Sequence, residues 1–176
     1  MSKVITFSRQ FPSYHVKAGE PTYFVEKIWE GIYTSIWNWD NFKMLRENGF
    51  SPGFYRPLKK HTVRAGYRFN AGDIFSPRVW GTDINPKSGR IGPYHSKQII
   101  IAPDMAVKKV WDFCIDPLGG EYQSNGNQIP IDVLTQIALN DGFDNLDDFE
   151  LWFNIKRGHG FRGQIICWDD NINYNF

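Results

Sequence analysis

The chain has 176 residues, 41% of them hydrophobic and 16% aromatic, and carries a net charge of +1. That is enough apolar material for one folded domain with a real core, and it excludes a disordered chain. No apolar run approaches the roughly 20 residues needed to cross a bilayer. The start, Met1-Ser2-Lys3-Val4-Ile5-Thr6, lacks the apolar stretch of a signal peptide, so a cytoplasmic protein without a membrane partner is expected.

Val4–Phe7 reads as a first strand, and Tyr23–Trp37 as a helix in which Phe24, Ile28, Ile32 and Ile36 recur near helical spacing. Asn41–Asn48 predicts a short helix ended by Gly49 and Pro52. Lys59–Asp73 then reads as a cationic hairpin, with Ile74–Trp80 as its outgoing strand and Gly72-Asp73 as a turn. Gly81–Ser96, rich in Gly, Pro, Asn and Ser, is expected to be a long surface loop. Lys97–Ala102 and Met105–Asp116 read as strands, and Tyr122–Gln128 as a hairpin around Asn125-Gly126. Pro130–Asn140 predicts a helix with Val133, Leu134, Ile137 and Ala138 on one side and Gly142 closing it. Asp144 is the candidate N-cap of a further helix turning Leu146, Phe149 and Phe153 inward. Gly163–Trp168 completes the list as a last strand. The pattern is α+β in a single domain, a mostly β core with helices inserted between strands, expected to form a small barrel.

Charge is unevenly distributed. Residues 53–101 carry nine Lys/Arg against two Asp/Glu, net +7, whereas residues 102–176 carry five against twelve, net −7. In the basic part, cations interleave with Tyr67, Phe69 and Trp80, a combination that suits phosphates and stacked bases. The plain alternative is a basic face paired with the acidic third inside one globule. Arg56, Lys60, Arg64 and Arg68 are the candidate phosphate-binding residues, and Tyr67, Phe69 or Trp80 the candidate base-stacking ones.

Several motif classes are missing. His15, His61, His95 and His159 lie far apart and no Cys/His pair has zinc-ligand spacing, so no metal is expected. There is no phosphate-binding P-loop and no nucleophile elbow, and nothing in the sequence calls for a cofactor. Gly158-His159-Gly160 reads as a flexible turn. Cys114 and Cys167 sit in apolar segments and read as two buried thiols rather than a disulfide. Catalytic candidates therefore concentrate in Lys59-Lys60-His61-Thr62-Val63-Arg64. A lysine with a lowered pKa would make the Thr62 hydroxyl a usable nucleophile. Strand alternation puts Lys60 in phase with Thr62 and Arg64, and Lys59 joins them only from a bend entering the strand. An ordinary solvated edge strand is the plain alternative. Asp141, at the predicted C-terminus of a helix, faces the negative end of the helix dipole, which raises a carboxyl pKa and suits a proton donor.

Ile5-Thr6-Phe7, then Lys59-x-x-Thr62-Val63-Arg64, then Phe69-x-x-Gly72-Asp73, then a helix pair with an acid between and a final strand opened by Gly163-Gln164, resemble the ASCH domain of the PUA-like superfamily. The closest likeness is to its members that hydrolyse the amide of acetylcytidine. The matched pieces are roughly Val4–Phe11, Leu58–Phe75, Asn140–Leu151 and Gly163–Trp168. The resemblance implies a PUA-like β-barrel that recognises RNA, a nucleotide or a modified nucleoside in a basic cleft. Carried over by motif, Lys59 is the base, Thr62 the nucleophile and Asp141 the proton donor, with Arg64 lining the site. Asp141 stands where those enzymes have Glu, one methylene shorter. Against that pattern the chain has extra segments at about 23–57 and 81–96. Three functions follow as alternatives: an RNA or nucleotide binder, an amidohydrolase on an acylated nucleobase or nucleoside, and a protein-interaction domain using the inserted segments.

Overall fold

The structure, a computed structural model, describes residues 2–36, 39–51, 53–118, 120–153 and 160–176. In chain order the elements are β1 (Lys3–Phe7), α1 (Phe24–Ile36), α2 (Trp39–Glu47), β2 (His61–Ala65), β3 (Ile74–Trp80), β4 (Gln98–Ile100), β5 (Met105–Ala106), β6 (Lys109–Ile115), β7 (Tyr122–Ser124), β8 (Asn127–Gln128), α3 (Ile131–Asn140), α4 (Leu146–Phe153) and β9 (Phe161–Cys167). Among the described residues no helix is long and apolar enough to cross a membrane. Gly158 and His159 of the expected turn, and Trp37 at the end of the first predicted helix, lie outside the described residues.

The α+β class holds, but the strands form two sheets instead of a closed barrel. The first runs β1-β3-β4, with β5 also on β3, and β1 lies parallel to β3. The second runs β2-β9-β6-β7-β8, all antiparallel. A barrel would need the free edges to meet. β1 and β2 are both sheet edges, and no strand pairing joins them.

The expected cationic hairpin does not form either. β3 has the predicted boundaries and β2 lies inside the predicted cationic segment, yet β2 pairs with β9 and β3 pairs with β1, β4 and β5. The connection between them is too long for a tight hairpin turn, and its middle is pinned elsewhere. The buried Gln164 side chain holds both backbone groups of Phe69, accepting from its N–H and donating to its carbonyl, each at 2.9 Å. β3 has apolar residues, Phe75 and Val79, fully buried, and needs partners on both sides. The predicted single strand over Met105–Asp116 is likewise broken. Val107 inserts into the core, and the chain crosses there from β5 in the first sheet to β6 in the second.

Two apolar clusters hold the sheets and helices together. One packs the second sheet (Val63, Phe113, Ile165, Cys167) against α3 and α4 through Leu134, Ile137 and Phe149. The other packs the first sheet (Ile5, Phe7, Phe75, Val79) against α1 through Val25, Ile28 and Trp29. β9 and the residue after it serve both: Ile165 and Cys167 go to one cluster, Ile166 and the following Trp168 to the other, continuing the strand's alternation. Locally driven features follow the sequence closely. Asn125 and Gly126 both have positive φ, 50° and 81°, which makes the β7–β8 turn the type that suits a hairpin. The N-cap of α4 is Asn145, not Asp144: Asn145 Oδ1 accepts the Asp148 N–H at 2.8 Å. Asp144 is engaged with Lys27 instead, at 2.8 Å. Both cysteines are free thiols.

Gly163 sits where β9 is crossed most closely by β2. A Cβ there would stand 2.8 Å from the Arg64 carbonyl carbon and nearer still to its oxygen. Gly163→Ala is therefore expected to cost at least about 3 kcal/mol by urea unfolding. Gly89→Ala, whose Cβ would meet nothing within 4 Å, bears only the backbone cost of its positive φ, about 1 kcal/mol.

Candidate active site

The approach to β2 is held from two sides. The Lys59 N–H donates to the Lys27 carbonyl of α1 at 3.3 Å, and the Lys60 N–H to the Asn140 carbonyl at the end of α3 at 2.8 Å. This bend turns Lys59 inward and Lys60 outward. Lys59 is 1% exposed, its stem against the α3–α4 turn and its ammonium 4.1 Å from the Phe24 ring centre. Lys60 is half-buried and pairs with Asp169 at 3.5 Å. The strand phase that favoured Lys60 stops short of this bend.

Asp141 is the C-cap of α3, and Gly142 follows with φ 88°. Only a glycine fits there on two counts. The backbone is left-handed, and a Cβ would lie 3.1 Å from the Lys59 Cβ. The turn sets the Asp141 carboxylate against Lys59, whose Nζ donates to both Oδ1 and the backbone carbonyl of Asp141. Asp141 Oδ2 accepts the Val63 N–H at 3.1 Å. That N–H lies on the free edge of β2, so the carboxylate occupies the place of a missing neighbouring strand.

Thr62 and Arg64 lie two residues apart on β2 and line the same cavity. The Arg64 guanidinium sits 5.4 Å from the Phe7 ring centre and donates from Nη2 to the Thr6 carbonyl of β1 at 2.6 Å. Its Nε is buried and has no partner. The Thr62 hydroxyl makes no hydrogen bond to any described residue, and none joins it to Lys59. A half-open cavity of about 260 Å³ collects these groups: Lys59, Thr62, Arg64 and Asp141, with Trp80 and Tyr94 at its wall. It occupies the seam between the two unpaired edges, β1 and β2.

Burial governs the electrostatics. It lowers the Lys59 pKa to about 8, against the pull of Asp141, which raises it. It raises the Asp141 carboxyl above its ordinary range, against the opposing effect of Lys59. The dipole argument gave the right direction for Asp141, but loss of water is the larger cause. In both groups burial disfavours the charged form, and the attraction of each for the other opposes that effect. The adjoining His61 is fully buried and held neutral by burial and by Lys59, with its Nε2 at 2.8 Å from the Tyr174 hydroxyl.

The remaining sequence candidates are elsewhere. Arg56 pairs with Glu30 at 3.3 Å, so Arg56, Lys59 and Lys60 all meet internal carboxylates. Tyr67 is exposed and donates to Asp112 at 2.6 Å. Arg68 is exposed on the loop beyond it. Phe69 is a core residue, which removes it as a base-stacking platform. Trp80 alone of the aromatic candidates reaches the cavity. Sequence reasoning missed Tyr94, which is 88% exposed, has φ 65° and packs on Trp80 at 5.4 Å between ring centres. No periodicity marks a loop residue of this kind. Among the described residues no cluster of His, Cys, Asp or Glu is arranged to hold a metal.

Comparisons of the chain with protein-family models, with curated proteins and with solved structures find no match. The functional argument therefore rests on the cavity itself.

Lys59→Met strands a buried carboxyl and is expected to destabilise the protein by about 3 kcal/mol at pH 7 in denaturant titration. The deficit should shrink as pH falls. A carboxyl with a raised pKa in the folded state binds its proton more readily there than when unfolded, so acid favours the fold. Lys59→Met/Asp141→Asn, which keeps an acceptor for the Val63 N–H, should recover most of the loss.

Proposed function

We propose that the protein is an amide hydrolase acting on an acylated nucleobase or nucleoside, with Thr62 as nucleophile, Lys59 as base and Asp141 as proton donor. One observation carries this reading: Lys59 and Thr62, three residues apart, and Asp141, from the distant end of α3, line one cavity together with the Arg64 guanidinium. The likeness of the Lys59–Arg64 motif to the ASCH amidohydrolases of the PUA-like superfamily also supports it.

The chemistry needs a particular proton arrangement. As a neutral amine, Lys59 takes the Thr62 hydroxyl proton while Oγ attacks the amide carbon. The negative charge that develops on the carbonyl oxygen is met by the Arg64 guanidinium, which lines the cavity. Asp141, held as the neutral acid, gives its proton to the departing nitrogen as the C–N bond breaks. The products of this half are an acyl ester on Thr62, an ammonium on Lys59 and a carboxylate on Asp141. Water then attacks the ester, giving a proton to Asp141, while Lys59 returns its proton to Thr62 Oγ. The buried pair thus ends where it began.

A phosphate-tracking RNA groove receives less support. Three of the cations that motivated it face internal carboxylates, and the cavity is sized for a ring rather than a strand.

Acetylcytidine turnover is the direct test. Wild type should release cytidine and acetate, and Thr62→Ala should lower kcat by about 10³-fold without loss of fold. Absence of turnover by wild type would overturn the proposal. The kcat/KM of wild type should pass through a maximum in pH, because turnover needs Lys59, lowered to about 8 by burial, to be deprotonated while the Asp141 carboxyl, raised by burial, still holds its proton. In Asp141→Asn the rising limb should move to lower pH, since the carboxylate is what holds the lysine pKa up against burial.

A further inference from the structure

The lining of the cavity grades from a buried end to an open rim. Lys59, Thr62 and Asp141 are all buried, whereas Tyr94, on the same lining, is 88% exposed. Two observations distinguish Tyr94 from an ordinary surface tyrosine.

The first is its backbone. Tyr94 has φ 65°, a left-handed conformation that a side chain enters at a cost and that glycine takes freely. The loop between β3 and β4 imposes it. Pro93 comes just before, and the N–H groups of His95 and Ser96 both donate to the Gly92 carbonyl, at 3.1 and 3.0 Å. The Asn85 side chain donates to the His95 carbonyl at 2.7 Å. The Ser96 hydroxyl accepts the Gly92 N–H at 2.8 Å and donates to the Asp83 carbonyl at 2.7 Å. A tyrosine held this way brings strain and buries little, so folding alone favours a glycine.

The second is the state of the other rings in the cavity. Phe7 and Phe24 are buried, with the Arg64 guanidinium and the Lys59 ammonium against them. Phe143 is buried too, and Trp152 and Phe153 pack on the cluster that joins the second sheet to α3 and α4. Trp80 is half-buried, its ring centre 5.4 Å from that of Tyr94 and its plane tilted by 51°. A flat base between two rings needs about 7 Å, twice a van der Waals contact. Nothing therefore inserts between them, and the free aromatic surface is the outer face of Tyr94.

An acylated nucleoside seats its amide carbon beside Thr62, among the buried groups. On one side of that carbon an acetyl group extends by a single methyl. The base and its sugar lie on the other side, and they alone have the length to reach the rim.

We infer that Tyr94, backed by Trp80, is the platform on which the nucleobase of the substrate stacks, and so a specificity-determining residue for amides of flat heteroaromatic amines. The substrate named here rests on the amide hydrolase reading, but the stacking can be read without turnover.

The test compares wild type with Tyr94→Gly and Tyr94→Phe. Tyr94→Gly should unfold at close to the wild-type temperature, since glycine accepts this backbone without strain. Its KM for acetylcytidine should rise at least about tenfold, the scale of one lost base–aromatic contact, with kcat within about threefold of wild type. Tyr94→Phe, which keeps the ring, should match wild type in both. Turnover by wild type with KM unchanged in Tyr94→Gly, or raised as much in Tyr94→Phe, would overturn the platform and leave the hydrolase reading standing. Where wild type shows no turnover, the hydrolase reading falls, and calorimetric titration of the three proteins with intact acetylcytidine decides the platform. Binding weakened about tenfold in Tyr94→Gly alone would support it. Equal affinities, or no binding by wild type, would overturn it.

Discussion

The buried pair of Lys59 and Asp141 is the constraint around which the site is arranged. Removing two opposite charges from water is costly, and their attraction returns that cost only with good geometry and full hydrogen bonding. Here the geometry comes from three elements at once. α1 fixes the lysine backbone, the α3 terminus supplies the carboxyl, and the free edge of β2 occupies its second oxygen. Burial works against the charge on both partners, lowering the lysine pKa and raising that of the carboxyl, so each holds its charge only through the other.

The second determinant is topological. Both strands nearest the cavity are sheet edges, a position that proteins ordinarily cover, because open backbone groups invite pairing. The edge of β2 is covered by a carboxylate and that of β1 by a guanidinium, through the Arg64 bond to the Thr6 carbonyl. Side chains that blunt two edges thereby become the polar lining of the gap between them. The failure of the barrel to close and the existence of the cavity are one fact.

What was legible in the sequence divides by distance along the chain. The boundaries of β3, the Asn125-Gly126 turn and the end of α3 before Gly142 depend on near neighbours and were read correctly. Pairing partners depend on residues tens of positions away. The hairpin was expected because β2 and β3 are consecutive, and nothing local shows that Gln164 pins Phe69. The choice between Lys59 and Lys60 turned on a bend set by Lys27 and Asn140, equally invisible to strand periodicity. Asp141 was legible because a glycine just beyond a helix marks its end, whereas Phe69 and Tyr67 were grouped with the site through adjacency alone. The Lys-x-x-Thr-Val-Arg motif names Lys59, Thr62 and Arg64, which line one cavity, whereas net charge treats the cations of this segment alike.

Ownership of the cleft is shared between sheets. Thr62 and Arg64 ride on one, Phe7 and Trp80 on the other, and Ile166 and Trp168 of β9 are wedged in the apolar packing that joins them. The aperture is therefore a property of how two rigid bodies lean on each other rather than of any single loop. An occupant touching both walls acts as a mortise pin: it resists splaying, and part of its binding energy appears as added resistance of the whole molecule to heat. Substitutions at the β9 wedge, remote from any reacting atom, would then retune selectivity by altering the hinge rather than the chemistry.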